Sequence, residues 1–190
     1  MNQPTDRKQR SRNKILDAAL RMFKKQGYVG SGVDGIMEEA GMTSGAFYGH
    51  FQSKSEVLGE TLVHAFLGDQ AVMNGAFEKA ETPDDLANIM LRYLSSKHCE
   101  NVEGGCSIPP LLSDLGRADE ETKAQFEEVI NWLTEQFIER SSNQFTRQEV
   151  LATLALCFGG LSLARAVKSP ALSRQILSAC RKNLPLKKEE

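Results

Sequence analysis

The stretch GMTSGAFYGHFQSK at residues 41–54 constrains the fold more than any other part of the chain. Just before it, Val33, Ile36, Met37 and Ala40 recur at helical spacing on one face, with acidic residues on the other. Gly41 supplies the tight turn that stops this first helix, because glycine alone enters left-handed backbone without a steric penalty. Thr43 or Ser44 can cap the next helix, where Ala46, Phe47 and Phe51 give an apolar side and Ser44, Gly45, Tyr48 and His50 lie outward. Two short amphipathic helices around a glycine corner make a helix-turn-helix. The spacing itself leaves two readings open, a unit that docks on DNA or an ordinary hairpin of a helical protein.

The surroundings favour DNA. Arg7, Lys8, Arg10, Arg12 and Lys14 form a basic arm that runs into Ile15, Leu16, Ala18, Ala19, Met22 and Phe23, the apolar stripe of an amphipathic helix closed by Gly27 and Tyr28. The formal net charge of the whole chain is -2, which conceals an asymmetry. Residues 1–54 hold nine Lys/Arg against five Asp/Glu, a net +4, and the remainder holds 14 against 20, a net -6. A basic head on an acidic body keeps attraction to phosphate local. A solvated tail is the alternative for the arm, since chain ends commonly take that form.

Residues 15–19 (ILDAA), Phe23, Gly27, Tyr28, Ile36, 40–43 (AGMT), Phe47, Tyr48, His50, Phe51 and Lys54 together resemble the N-terminal domain of TetR/AcrR-family transcriptional regulators. The likeness is ordered and dense over about residues 9–69 and looser beyond. It implies an all-α protein: an N-terminal three-helix DNA-binding domain at 9–69, with its helix-turn-helix at about 32–51, and a helical effector-binding and dimerisation domain at 70–190. It further implies that 44–51 is a recognition helix in the major groove, where base edges are fully distinguishable. Thr43, Ser44, Gly45, Tyr48 and His50 are then the groove or phosphate contacts. Lys54 holds the DNA backbone, and Arg7, Lys8, Arg10 and Arg12 track phosphate or reach a minor groove. The sequence departs from the family pattern at Met37, Gly32, Gly35 and Gly49, the last of which weakens the short recognition helix.

Several classes are excluded or disfavoured. With 41% hydrophobic and 25% charged residues in 190, the chain has the composition of a soluble globular protein with a sizeable core. No secretory segment is visible, and the longest uncharged run, residues 150–164, falls short of the roughly 20 residues of a spanning helix. The expectation is a cytoplasmic protein with no membrane partner. Cys99, Cys106, Cys157 and Cys180 are too few and too irregular for a disulfide framework, and no metal-ligand spacing or bound cofactor is expected. No nucleophile arrangement and no phosphate-cradling glycine motif suggests an enzyme, and His50, His64 and His98 lie on different segments.

Beyond the basic head the chain reads as helices: about 54–77 with Ser53 as cap, one starting at Pro83, then about 118–140, 146–167 and 170–183, with 104–110 interrupting the pattern. The helix at 146–167 carries too much apolar surface for one stripe, so it either lies at the centre of a monomer or buries a second face elsewhere. The family resemblance implies the second, a four-helix bundle formed with a second copy. Leu154, Phe158, Gly159, Gly160, Leu161 and Ile176 are its candidate interface. Phe66, Met90, Tyr93, Phe126, Val129, Trp132 and Leu133 could line a cavity for a small apolar effector or be plain core. Cys106, in a glycine-rich loop, is a candidate redox or electrophile sensor, with an inert packed thiol as the alternative. The reading as a whole is a homodimeric repressor of double-stranded operator DNA, released by a small-molecule effector.

Overall fold

The helical periodicities close into helices, and among the described residues no strand forms. The computed structural model describes residues 4–68 and 80–186. In chain order the helices are α1 (Pro4–Gly30), α2 (Val33–Glu39), a 3-10 helix (Ser44–Gly49), α3 (Lys54–Leu67), α4 (Pro83–Tyr93), α5 (Ser96–Glu100), α6 (Ile108–Leu115), α7 (Glu120–Arg140), α8 (Arg147–Ala166) and α9 (Pro170–Lys182). The expected continuation of α3 to residue 77 lies, beyond residue 68, outside the described residues. The helices fall into two compact units: Met1–Ala71 with Pro110–Val129, and Val72–Pro109 with Ile130–Glu190.

In the first unit, α1 buries Ile15, Ala18, Ala19 and Phe23 completely, the stripe expected from its spacing. Its helical run breaks at Gly27, which adopts φ 73 and ψ 172. The basic residues 7–12 lie within α1, so the expected arm is helical. Gly41 takes φ 68 and makes the corner after α2. Ser53 caps α3 by accepting from the Glu56 amide at 3.1 Å, and Glu56 reaches back to accept from the Gln52 amide at 2.6 Å.

Residues 110–129 join this unit through contacts that no local pattern reveals. The Tyr28 amide donates to Asp114 at 3.4 Å, the Ser55 hydroxyl bonds Asp119, and the Thr122 hydroxyl donates to the Ser55 carbonyl at 3.2 Å. At Gly59 a Cβ would stand 1.7 Å from Gln125 Oε1, so the glycine is what lets α3 and α7 come so close. The sequence boundary at 69/70 carries none of this, because these partners are separated by some 64–86 positions in the chain.

In the second unit α4 and α8 each begin with a reciprocal capping box, Thr82 with Asp85 and Thr146 with Glu149, and α4 adds Pro83 in its first turn. Ser169 caps α9 ahead of Pro170. The backbone and hydroxyl hydrogen bonds of these caps hold the Asp85 and Glu149 carboxyls below the ordinary range. Helix α8 is long and apolar enough to cross a membrane by length and composition, with 44% of that window buried within the chain itself.

The two faces of α8 divide the expected dimer residues. Val150, Thr153, Leu154, Cys157, Phe158, Leu161 and Ala164 are buried in the chain's own core. Gly160 is buried with them, packed against α9 so closely that a Cβ would stand 2.5 Å from Cys180 Sγ. Leu154, Phe158, Gly160 and Leu161 therefore serve internal packing, and Ile176 is half-buried. The outward stripe is Ala152, Ala155, Gly159 and Leu163, spaced by three and four residues, and only Gly159 of the expected set from α8 belongs to it. Both stripes are apolar, so periodicity alone could not tell which one faced the core.

Candidate nucleic-acid interface

The helix-turn-helix presents polar residues on a rigid apolar base. Phe47 and Phe51 are buried beneath the 3-10 helix, with ring centroids 5.7 Å apart. Thr43, Ser44, Gly45 and Gly49 are exposed, and Tyr48 stands out at 73% exposure, its ring edge-on to Phe47 at 5.3 Å. A tyrosine so exposed has a large contact surface and a hydroxyl free to meet an acceptor. The expected α-helix at 44–51 is a shorter 3-10 helix, and Thr43 stands at its N-cap position without a side-chain hydrogen bond. Gly45 and Gly49 account for this, since two glycines in six residues offer little intrinsic support for an α-helix.

Two cations fix this element. Arg12 donates from Nη1 to the His50 carbonyl, from Nε to Glu60 at 3.1 Å and from Nη2 to Glu56 at 3.4 Å, and also pairs Nη2 with Glu60 Oε1. Its guanidinium lies 4.1 Å over the Phe51 ring. Burial pushes the Glu60 carboxyl up, and Arg12 works against that shift. Lys54 donates to the Tyr28 carbonyl at 2.9 Å with its ammonium 4.1 Å over the Tyr28 ring. Arg12 and Lys54, read from sequence as DNA contacts, are thus both engaged inside the domain, one at each end of residues 12–54. Arg12 lies three, four, seven and eleven positions before Ile15, Leu16, Ala19 and Phe23, so the buried stripe of α1 already contained the signal for its inward position.

Around this frame, Arg7, Lys8 and Arg10 are exposed on α1. His50 is half-buried, its Nδ1 is enclosed without a partner, and burial first, then Lys8 and Arg12, lower its pKa below the ordinary histidine value. Lys8 therefore lies close enough to His50 for charge on one to act on the other. An exposed Tyr48, small polar Thr43 and Ser44, and a cationic flank on α1 suit a duplex: side chains for base edges in the middle, cations for phosphate beside them.

The expected cavity residues divide between the units: Phe66, Phe126 and Val129 in the first, Met90, Tyr93, Trp132 and Leu133 in the second. Phe66, Val129, Met90 and Leu133 are buried, and Tyr93, Phe126 and Trp132 are half-buried. All four cysteines are thiols rather than disulfide halves. Cys106 is half-buried and its amide donates to His98 Nε2 at 3.1 Å, while burial pushes the Cys157 thiol up to about 12. This arrangement gives a thiol switch no particular support. Among the described residues no cluster of His, Cys, Asp and Glu is grouped to hold a metal.

Residues 15–61 match the family described as bacterial regulatory proteins, tetR family. An uncharacterised HTH-type transcriptional regulator from the lacX 3' region of Lactococcus lactis subsp. lactis is 29% identical over 136 residues, 70% of this chain and 68% of that one. The HTH-type regulator AcrR of Shigella flexneri is 44% identical over 52 residues, and the match spans only 24% of its length and 27% of this chain. Among solved structures, the reduced form of NemR from E. coli aligns with a TM-score of 0.72 at 16% identity, over 92% of this chain and 95% of that one, a likeness that shows the fold.

Proposed function

Because the chain belongs to the TetR/AcrR family of transcriptional regulators, we propose that it is a homodimeric repressor that binds a palindromic operator and leaves it when a small-molecule effector occupies the helical domain. The observation that carries the DNA reading is Tyr48, 73% exposed on an element anchored from below by Phe47 and Phe51. Thr43, Ser44, Gly45, Tyr48 and His50 read the groove, and Arg7, Lys8 and Arg10 meet phosphate. Arg12 and Lys54 hold the reading element in position. A cytoplasmic location follows from that target.

A single 3-10 helix of six residues offers few base contacts, and two on a symmetric dimer read two half-sites. The outward stripe Ala152, Ala155, Gly159 and Leu163 of α8 is the face offered to a second copy, since its small residues permit close helix approach. An effector that binds better to the DNA-incompetent arrangement shifts the equilibrium by its differential affinity, and tenfold release needs about 1.4 kcal/mol.

Fluorescence anisotropy with operator duplex at several salt concentrations tests this. The wild type binds with a log-log salt slope of about -0.9 per phosphate neutralised, and Tyr48→Ala weakens binding about tenfold or more while the slope is kept. Binding that is flat in salt, or unaffected by Tyr48→Ala, contradicts the proposal.

A further inference from the structure

Among the described residues, the second unit encloses three side-chain donors without a strong acceptor: Tyr93 Oη, Thr153 Oγ1 and Arg165 Nη1. Arg165, at the end of α8, turns its guanidinium onto the end of α5: Nε donates to the Cys99 carbonyl at 3.0 Å, and Nη2 to the His98 carbonyl at 3.0 Å and the Asn101 carbonyl at 3.4 Å. Nη1 is closed off from solvent and has no acceptor among the described residues. Every hydrogen-bond acceptor of this cation among the described residues is a neutral carbonyl. Among the described residues no carboxylate forms an ion pair with it. An arginine keeps its charge, and this half-buried cation, with Nη1 enclosed, has no carboxylate partner among the described residues.

Tyr93 is another of these donors. Its ring is pinned edge-on to His98 at 4.5 Å and to Phe158 at 6.0 Å, while Oη is enclosed and has no oxygen or nitrogen acceptor among the described residues, only the Cys106 thiol. Burial raises the phenol far above its ordinary range, so it stays a neutral O–H, and Arg165 is near enough to act on it. The Cys106 and Cys157 thiols adjoin it, and thiols are weak acceptors. His98 takes no part, because Nδ1 donates to the Tyr93 carbonyl at 2.7 Å and Nε2 accepts from the Cys106 amide at 3.1 Å. That pairing assigns it the neutral form with its proton on Nδ1. A cation and a hydroxyl with unused N–H and O–H call for a group that only accepts hydrogen bonds and carries negative charge.

We propose that Arg165 Nη1 and Tyr93 Oη bind an anionic oxygen group, a carboxylate or a phosphate, carried by the effector. This rests on the effector-released reading above. Met90, Cys157 and Phe158 are buried nearby on α4 and α8, which suits an apolar remainder of the ligand.

The test uses the full chain and four probes with one tail: octanoate, monooctyl phosphate, octanol and octylamine. Octanoate or monooctyl phosphate raises the Tm, and the better of the two identifies carboxylate or phosphate; octanol and octylamine at equal concentration leave it unchanged. Tyr93→Phe preserves the ring packing, keeps or raises the Tm of the free protein, and weakens anion binding about tenfold. Arg165→Gln removes anion binding; it also loosens the end of α5, so Tyr93→Phe decides if that variant does not fold. No response to either anion, equal response to octanol or octylamine, or full anion binding by Tyr93→Phe overturns the proposal. Anion binding that depends on Tyr93 but never releases operator DNA upholds the site and refutes the effector reading.

Discussion

Arg12 shows how a residue's type and its role separate. In a basic run it reads as a phosphate contact, yet its guanidinium joins the His50 carbonyl, Glu56, Glu60 and the Phe51 ring. Arg12→Ala is expected to lower stability by about 1–3 kcal/mol, because it leaves a carbonyl and two carboxylates without their partner. DNA affinity falls alongside, with the salt slope unchanged. Loss of affinity at unaltered Tm, with a slope smaller by about 0.9, would instead mark a direct phosphate contact. His50 makes a prediction with a sign. Its folded pKa is lowered by burial, Lys8 and Arg12, so the folded state binds fewer protons than the unfolded state. Its contribution to stability is present above the ordinary histidine value of about 6.5 and is lost as pH falls through the folded value. Nearby DNA phosphate raises that pKa again, so operator binding takes up a proton and tightens as pH falls from about 7 toward 6. Histidine NMR titration, with and without operator, measures both values.

The elements were legible where a local signal determines them. Ser53 and Pro83 mark helix starts in the sequence and stand at them in the structure, where Thr82 and the Thr146–Glu149 pair add capping boxes. Gly41 likewise signals its corner, and at φ 68 any side chain is strained. Gly41→Ala should cost about 1–2 kcal/mol and weaken DNA binding through the tilt of the recognition element. Calorimetry and anisotropy on the same preparation measure the two effects. Less legible was what depends on distant partners. The 3-10 form of residues 44–49 reflects Gly45 and Gly49 within a short capless segment. The place of residues 110–129 rests on Asp114, Asp119 and Thr122 meeting Tyr28 and Ser55. The inner and outer faces of α8 were interchangeable by pattern, because leucine, alanine and glycine populate both.

For the whole molecule, the candidate site was clearer in sequence than its control. Charge asymmetry and the run at 41–54 pointed to DNA, whereas Tyr93 was one of seven residues readable as cavity or plain core and Arg165 carried no signal; the enclosure of Nη1 and Oη is what joins them. The proposed association of two copies places the α8 stripe between them. Leu163 is 55% exposed there, so Leu163→Glu should give a monomer by analytical ultracentrifugation with its fold intact, since the side chain has no place in the chain's own core. Retention of the dimer would relocate the interface. The account stands on two recognition elements reading one duplex, and selection of bound duplexes from a random pool tests that most directly. Wild-type protein should enrich an inverted repeat whose half-sites are centred about 34 Å apart or a multiple of it, and Leu163→Glu and Tyr48→Ala should each abolish the enrichment. Enrichment of a site without dyad symmetry, or none at all, would contradict it.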